Sequence, residues 1–176
     1  MQVRNTYLWE RHVTLKAFWR LLLQGRGPGD VTVPVHVLTA VTALPLAVAL
    51  IAGAWRARRA QETTDAVIAA PVATAPLLMP FYFDYDLLLL AVPAVLAALH
   101  HRPSRLAPRL IVTWVALYVW LYVNPYFGAF VRVNVAVPLL AGLSALLIAS
   151  LREQSRLAEQ IAVEDSPANR PLREAA

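Results

Sequence analysis

The sequence predicts an all-α fold: a polytopic membrane helix bundle of about five spans, preceded by an amphipathic interfacial helix. Three observations carry that expectation. Hydrophobic residues make up 59% of the 176, and charged residues only 15%, which is too oily for a soluble domain of this size. The apolar residues gather into five runs separated by short charged loops. Prolines 34, 45, 71, 76, 80, 93 and 138 fall in or at the ends of those runs, which suits kinked helices whose freed backbone groups are satisfied by neighbours in a crowded bundle. Cysteine is absent, so disulfide and thiol chemistry are excluded. The net charge of +5 lies largely in the short loops, which reads as a topology signal and not as a nucleic-acid surface.

Residues 1–30 come first, as an extracytoplasmic amphipathic segment. About 30 polar and amphipathic residues precede the first apolar run, unlike the short basic leader of a signal peptide. WERHVTLKAFWRLLLQG predicts one helix that stops at Gly25. At 100° per residue, Leu15, Phe18, Trp19, Leu21 and Leu22 share a face, and His12, Lys16 and Arg20 form a basic stripe beside it. Two readings stand: an interfacial helix whose cations meet lipid phosphates, or a helix gripping the phosphate of a specific lipid-linked substrate.

The bundle follows over residues 31–151. The expected spans are Val31 to Trp55, Ala66 to Phe81, Asp86 to Leu99, Leu110 to Val123 and Val131 to Leu151. The second and third are short against a minimum of about 17 residues. Arg56, Arg58 and Arg59 follow the first span. Arg102, Arg105 and Arg109 separate the third from the fourth, and Arg152, Arg156, Arg170 and Arg173 follow the fifth. Alternating spans put all three groups on one side, which the positive-inside rule makes the cytoplasm of a plasma-membrane protein. Arg4, Arg11, Lys16, Arg20 and Arg26 then lie outside, an exception that either weakens this orientation or marks the segment as functionally basic. Residues 152–176 are expected to extend the last helix by a turn or two and then to form a polar, partly disordered cytoplasmic tail.

The candidate site is the junction of the second and third spans, PFYFDYDLLLL. A carboxylate at membrane depth costs several kcal/mol, roughly 2.5–3.5 on insertion scales, and this turn holds Asp84 and Asp86. One reading is structural: Asp84 caps the following helix, Asp86 is an acid in its first turn, and the tyrosines are interface aromatics. A second makes both carboxylates part of a polar cavity that orients sugar hydroxyls, holds a divalent cation or positions Arg132. A third is a proton or ion relay. D-x-D on a helix sends its carboxylates to different faces, so no metal site is assigned and a divalent cation is the one cofactor left open. In LYVNPYFGAFVRVN, Asn124-Pro125 is expected to break the fourth span, and Arg132 to snorkel to headgroups or grip substrate. His36 reads as a bundle-facing polar residue, and His100 and His101 as ordinary interface residues.

PFYFDYDLLLLAVPAVLAAL, within Ala66 to Leu99, resembles the C-terminal region of glycosyltransferase family 87, the bacterial polyprenyl-phosphate-mannose-dependent mannosyltransferases and their relatives. Those proteins carry a small-residue helix, then proline, aromatics and a [F/Y]-D-Y-D turn, then a leucine-rich helix. ERHVTLKAFWRLLLQG resembles the extracytoplasmic segment preceding that helix pair, so the resemblance covers roughly residues 5–150. It implies the C-terminal part of a GT-C type fold, acting on a polyprenyl-phosphate-linked sugar at the outer membrane face. Tyr82, Asp84, Tyr85 and Asp86 are the family-motif and candidate cavity residues. His12, Lys16, Arg20 and Arg132 are the candidate lipid-phosphate ligands. The acidic first outer loop that carries catalysis in that superfamily has no counterpart here: Glu10 and Asp30 are the only acids in residues 1–30. The resemblance therefore implies a hexosyltransferase part acting with a separate N-terminal half or partner subunit, or a reduced homologue. The alternative is a non-catalytic membrane protein binding lipids or a partner; a transporter stands third.

Overall fold

A computed structural model of the chain describes residues 9–59, 64–99, 106–127, 130 and 133–164. Six α-helices follow one another: α1 (Leu15–Gln24), α2 (Val33–Arg59), α3 (Thr64–Leu78), α4 (Ala91–Leu99), α5 (Ala107–Phe127) and α6 (Ala136–Glu164). Two 3₁₀ segments, Trp9–Arg11 and Asp84–Leu90, precede α1 and α4. No strand occurs among the described residues. The one β feature among them is an isolated antiparallel bridge between His12 and Phe83.

The amphipathic helix begins later than its periodicity predicts. Thr14 is its N-cap, with an extended backbone and a side-chain oxygen that accepts from the Ala17 N–H at 3.1 Å. Gly25 ends the helix as expected. It takes a positive φ of 69°, where a side chain is disfavoured, and its N–H donates to the Leu21 carbonyl. His12 consequently lies before α1, in the segment that pairs with Phe83, and not on a helical stripe with Lys16 and Arg20. Nor does α1 simply rest on lipid. It packs on α2, buries Leu15, Ala17 and Leu21, and is tied down by the Trp19 indole N–H donating to Thr42 Oγ1 at 3.1 Å.

α3 and α6 form the centre of the bundle. α3 packs against α2, α4 and α6, and α6 against α2, α3 and α5. The α3 seam is made of small residues, with Ala69, Ala70 and Ala73 buried, so that backbones approach closely. The Ser144 hydroxyl on α6 donates to the Ala73 carbonyl at 3.3 Å, and Thr74 donates to Ala70 at 2.7 Å. Close approach suits α3, whose 15 residues cover about 22 Å at 1.5 Å per residue. Its neighbour is stretched instead. The 3₁₀ start of the Asp84 to Leu99 run rises about 2 Å per residue, and with α4 it reaches about 27 Å, close to a hydrocarbon thickness of about 30 Å.

The outer faces identify the solvent. On α2, Val33, Val37, Val41, Leu44, Val48, Ile51 and Trp55 recur at helical spacing, and every one is more than half exposed. Ile111, Val112, Val115, Val119 and Tyr122 make a similar stripe on α5. Continuous apolar stripes of this length fit hydrocarbon, not water. Three helices are long and apolar enough to cross a membrane, Val33–Arg58, Ala107–Asn124 and Ala136–Glu153. Val67–Leu78 and Asp86–Leu96 are shorter apolar helices. The five expected apolar segments are therefore all helical, and three reach spanning length.

Three further expectations change. α5 is not broken at Asn124-Pro125 and runs on to Phe127, because a proline near a C-terminus removes only a bond that the fraying end holds weakly. α6 extends to Glu164, about three and a half turns past Leu151, because Arg152, Glu153, Gln154 and Arg156 are strong helix formers. The expected disordered tail, residues 165–176, lies outside the described residues. His36 is exposed and does not face the bundle, because among the described residues its turn of α2 has no neighbour on that side.

Candidate functional site

At one end of the bundle the N-terminal segment clasps both the FYFDYD turn and the start of α6. The Val13 N–H donates to the Tyr82 carbonyl at 2.9 Å, next to the His12–Phe83 bridge. The Asn134 side-chain N–H donates to the Glu10 carbonyl at 2.9 Å, while its oxygen accepts from the Ala136 N–H at 2.9 Å and starts α6. His12, Val13, Thr14 and Asn134 are all buried. The His12 ring lies 4.3 Å from the Phe83 ring, with Phe81 and Trp9 at 6.1 and 6.2 Å.

Within the turn, Asp86 holds the local shape. Phe83 occupies the N-cap position with an extended backbone. Its side chain has no acceptor, so Asp86, three residues on, reaches back and takes the Phe83 N–H on Oδ2 at 3.2 Å. The capping role that the sequence gives to Asp84 thus belongs to Asp86, and Asp84 is the first residue of the 3₁₀ segment. The side chains of Asp84 and Tyr85 lie outside the described residues. The Tyr82 hydroxyl donates to the Asp86 carbonyl at 3.1 Å, closing the turn a second time. Burial, and then the Asp86 charge, push the Tyr82 phenol above its ordinary range.

The basic set is split. Arg20 is only 2% exposed, and its two terminal nitrogens donate to the Gly25 and Gly27 carbonyls, each at 2.8 Å. Its guanidinium carbon sits 5.6 Å from the Trp9 ring centre. Arg20 therefore folds the GRGPGD loop back onto α1, and its terminal nitrogens are not turned toward a phosphate. His12 is enclosed by aromatics. Lys16 is half-buried, with Nζ 5.7 Å from the centre of the exposed Phe81 ring. Arg132 lies outside the described residues. Sequence reasoning missed Glu10, Val13 and Phe83 as contact residues, since their partners are distant in the chain. It did not see Asn134 as a cap either, although an Asn just before an apolar run is a helix-start signal.

Among the described residues no group of three or more His, Asp or Glu side chains is placed to hold a metal ion. Arg20, Tyr82, Asp86 and Asn134 grip backbone groups, and that shapes an aromatic-walled junction capping an apolar bundle. The fold and its lipid-compatible faces define a polytopic membrane protein. No family model, curated protein or solved structure matches the chain.

Proposed function

We propose that this chain contributes the membrane-embedded, substrate-lining part of a hexosyltransferase. The donor is a polyprenyl-phosphate-linked hexose, such as mannose, and the acceptor an extracytoplasmic glycan or lipid. The observation that supports this reading is the FYFDYD turn itself. It is held at one end of an apolar bundle by Val13 and by Asp86, in a sequence context that resembles glycosyltransferase family 87. In this reading Tyr82, Asp84, Tyr85 and Asp86 shape a cavity wall that orients sugar hydroxyls, with no catalytic base assigned to either carboxylate. Lys16 and Arg132 offer positive charge to the departing phosphate. The protein sits in the plasma membrane with its C-terminus cytoplasmic.

Transfer of labelled hexose from its polyprenyl phosphate, measured in native membranes, tests this. Asp84→Asn is expected to lower transfer at least tenfold with unchanged insertion and melting. Full transfer in Asp84→Asn/Asp86→Asn removes the reading.

A second reading has its own support, because Asp86, Arg20 and Asn134 all bond to backbone groups. In that reading the chain is a non-catalytic membrane protein that binds lipids or a partner subunit. The same substitutions then lower melting or accumulation instead of transfer.

A further inference from the structure

A second charged cluster lies at the opposite end of the bundle, and neither reading above uses it. α2 and α6 approach closely there. A methyl group placed at Gly53 would lie 3.7 Å from the Ile148 side chain and 3.8 Å from that of Leu151, and Ala57, one turn further along α2, is fully buried. Arg56 and Arg58 flank Ala57 and are exposed. Arg152 follows the buried Leu151, Arg156 comes one turn later, and both are exposed. Residues beside a buried helical position project to either side of the seam. The contact at Gly53 thus puts these four arginines at the same end of α2 and α6, just beyond one helix crossing. Arg109, exposed in the first turn of α5, adds a fifth, because α5 packs on α6.

No hydrogen bond or ion pair engages these five side chains among the described residues. Glu153 is the one acid between Arg152 and Arg156, and Glu159 follows a turn later. Five guanidinium groups outnumber the acids beside them, and like charges repel. The exposed apolar stripe of α2 runs through Val48 and Ile51 to the same level, so hydrocarbon contact and positive charge adjoin. Guanidinium groups match phosphate oxygens in paired hydrogen bonds.

We propose that the arginine cluster at the α2–α6 crossing binds the phosphate headgroup of an anionic phospholipid, whose acyl chains lie along the α2 stripe. This inference is independent of the hexosyltransferase reading. The test is purification of the full chain from nanodiscs of phosphatidylglycerol mixed with phosphatidylcholine, with retained lipid counted by mass spectrometry. The wild type is expected to retain phosphatidylglycerol over phosphatidylcholine at least tenfold. Arg56→Gln/Arg58→Gln/Arg152→Gln/Arg156→Gln is expected to lose that preference, and Arg11→Gln/Arg26→Gln to keep it. Should the fourfold variant fail to accumulate, salt decides on the wild type: raising it from about 0.05 to about 0.5 M is expected to abolish the preference by screening. No preference in the wild type, an unchanged preference in the fourfold variant, or one that survives high salt overturns the proposal.

Discussion

The two ends of this bundle handle charge in opposite ways. At the clasped end, the Arg20 and Asp86 charges are each bonded to backbone groups, as is the neutral Asn134 amide. At the other end, the side chains of five exposed arginines hold no partner among the described residues. The Arg20 and Asp86 charges at the first end are part of the fold. Charge at the second is available to something outside it. Substitutions of the same chemical kind should therefore have different consequences at the two ends.

The largest effect is expected at Arg20. Arg20→Ala leaves the Gly25 and Gly27 carbonyls without their donors, and charged hydrogen bonds contribute about 1.5–3 kcal/mol each. A loss on the order of 3 kcal/mol should appear in thermal melting in detergent. Arg20→Lys should restore only part of it, because one ammonium cannot span two carbonyls in the guanidinium's fork.

Asn134 comes next and separates two roles. Asn134→Ala removes both the α6 cap and the tie to Glu10, at about 1–3 kcal/mol. Asn134→Ser keeps a cap acceptor for the start of α6 and loses the donor to Glu10, so melting should fall by less. Equal losses would mean that the Glu10 tie, and not the cap, carries the effect.

Smaller again is the turn. Asp86→Ala should cost about 1 kcal/mol through the lost Phe83 N–H, and Tyr82→Phe about 0.5–1.5 kcal/mol. Tyr82 also carries a pH signature. Its phenol is raised in the folded state, so its contribution is complete below the unfolded value of about 10 and is lost as pH rises through the higher folded value. Stability measured above about pH 10 should fall more steeply in the wild type than in Tyr82→Phe.

The smallest effect, with the opposite sign, is expected at the arginine end. Gly53→Ala adds a methyl at ordinary contact distance from Ile148 and Leu151 and replaces a poor helix former. It should raise stability by about 0.5–1 kcal/mol.

The apolar architecture was readable in the sequence because the helices are written in local composition. The five apolar runs, the stop at Gly25 and the acid in the first turn after FYF all rest on neighbours a few residues apart. The clasp was not readable. Val13 meets Tyr82 across more than a third of the chain, and Glu10 meets Asn134 across 124 residues, and no periodicity encodes such pairs. Arg20 misled for a related reason. Helical spacing placed it beside Lys16, yet its length lets it curl back to the glycine loop after α1. Thr14 did carry a local signal for the true helix start, but the amphipathic pattern ran through it and obscured it. The site shows the same division. Asp86 was recognisable as a helix-start acid, whereas the pairing that holds its turn was not.

The most direct test of the contrast between the two ends is one melting comparison in a neutral detergent without anionic lipid. Arg20→Gln and Arg56→Gln/Arg58→Gln are measured beside the wild type. The account predicts a marked drop for Arg20→Gln, and a change within about 0.5 kcal/mol for the double variant, as expected of exposed surface substitutions. Equal drops, or a larger one at Arg56 and Arg58, would contradict it.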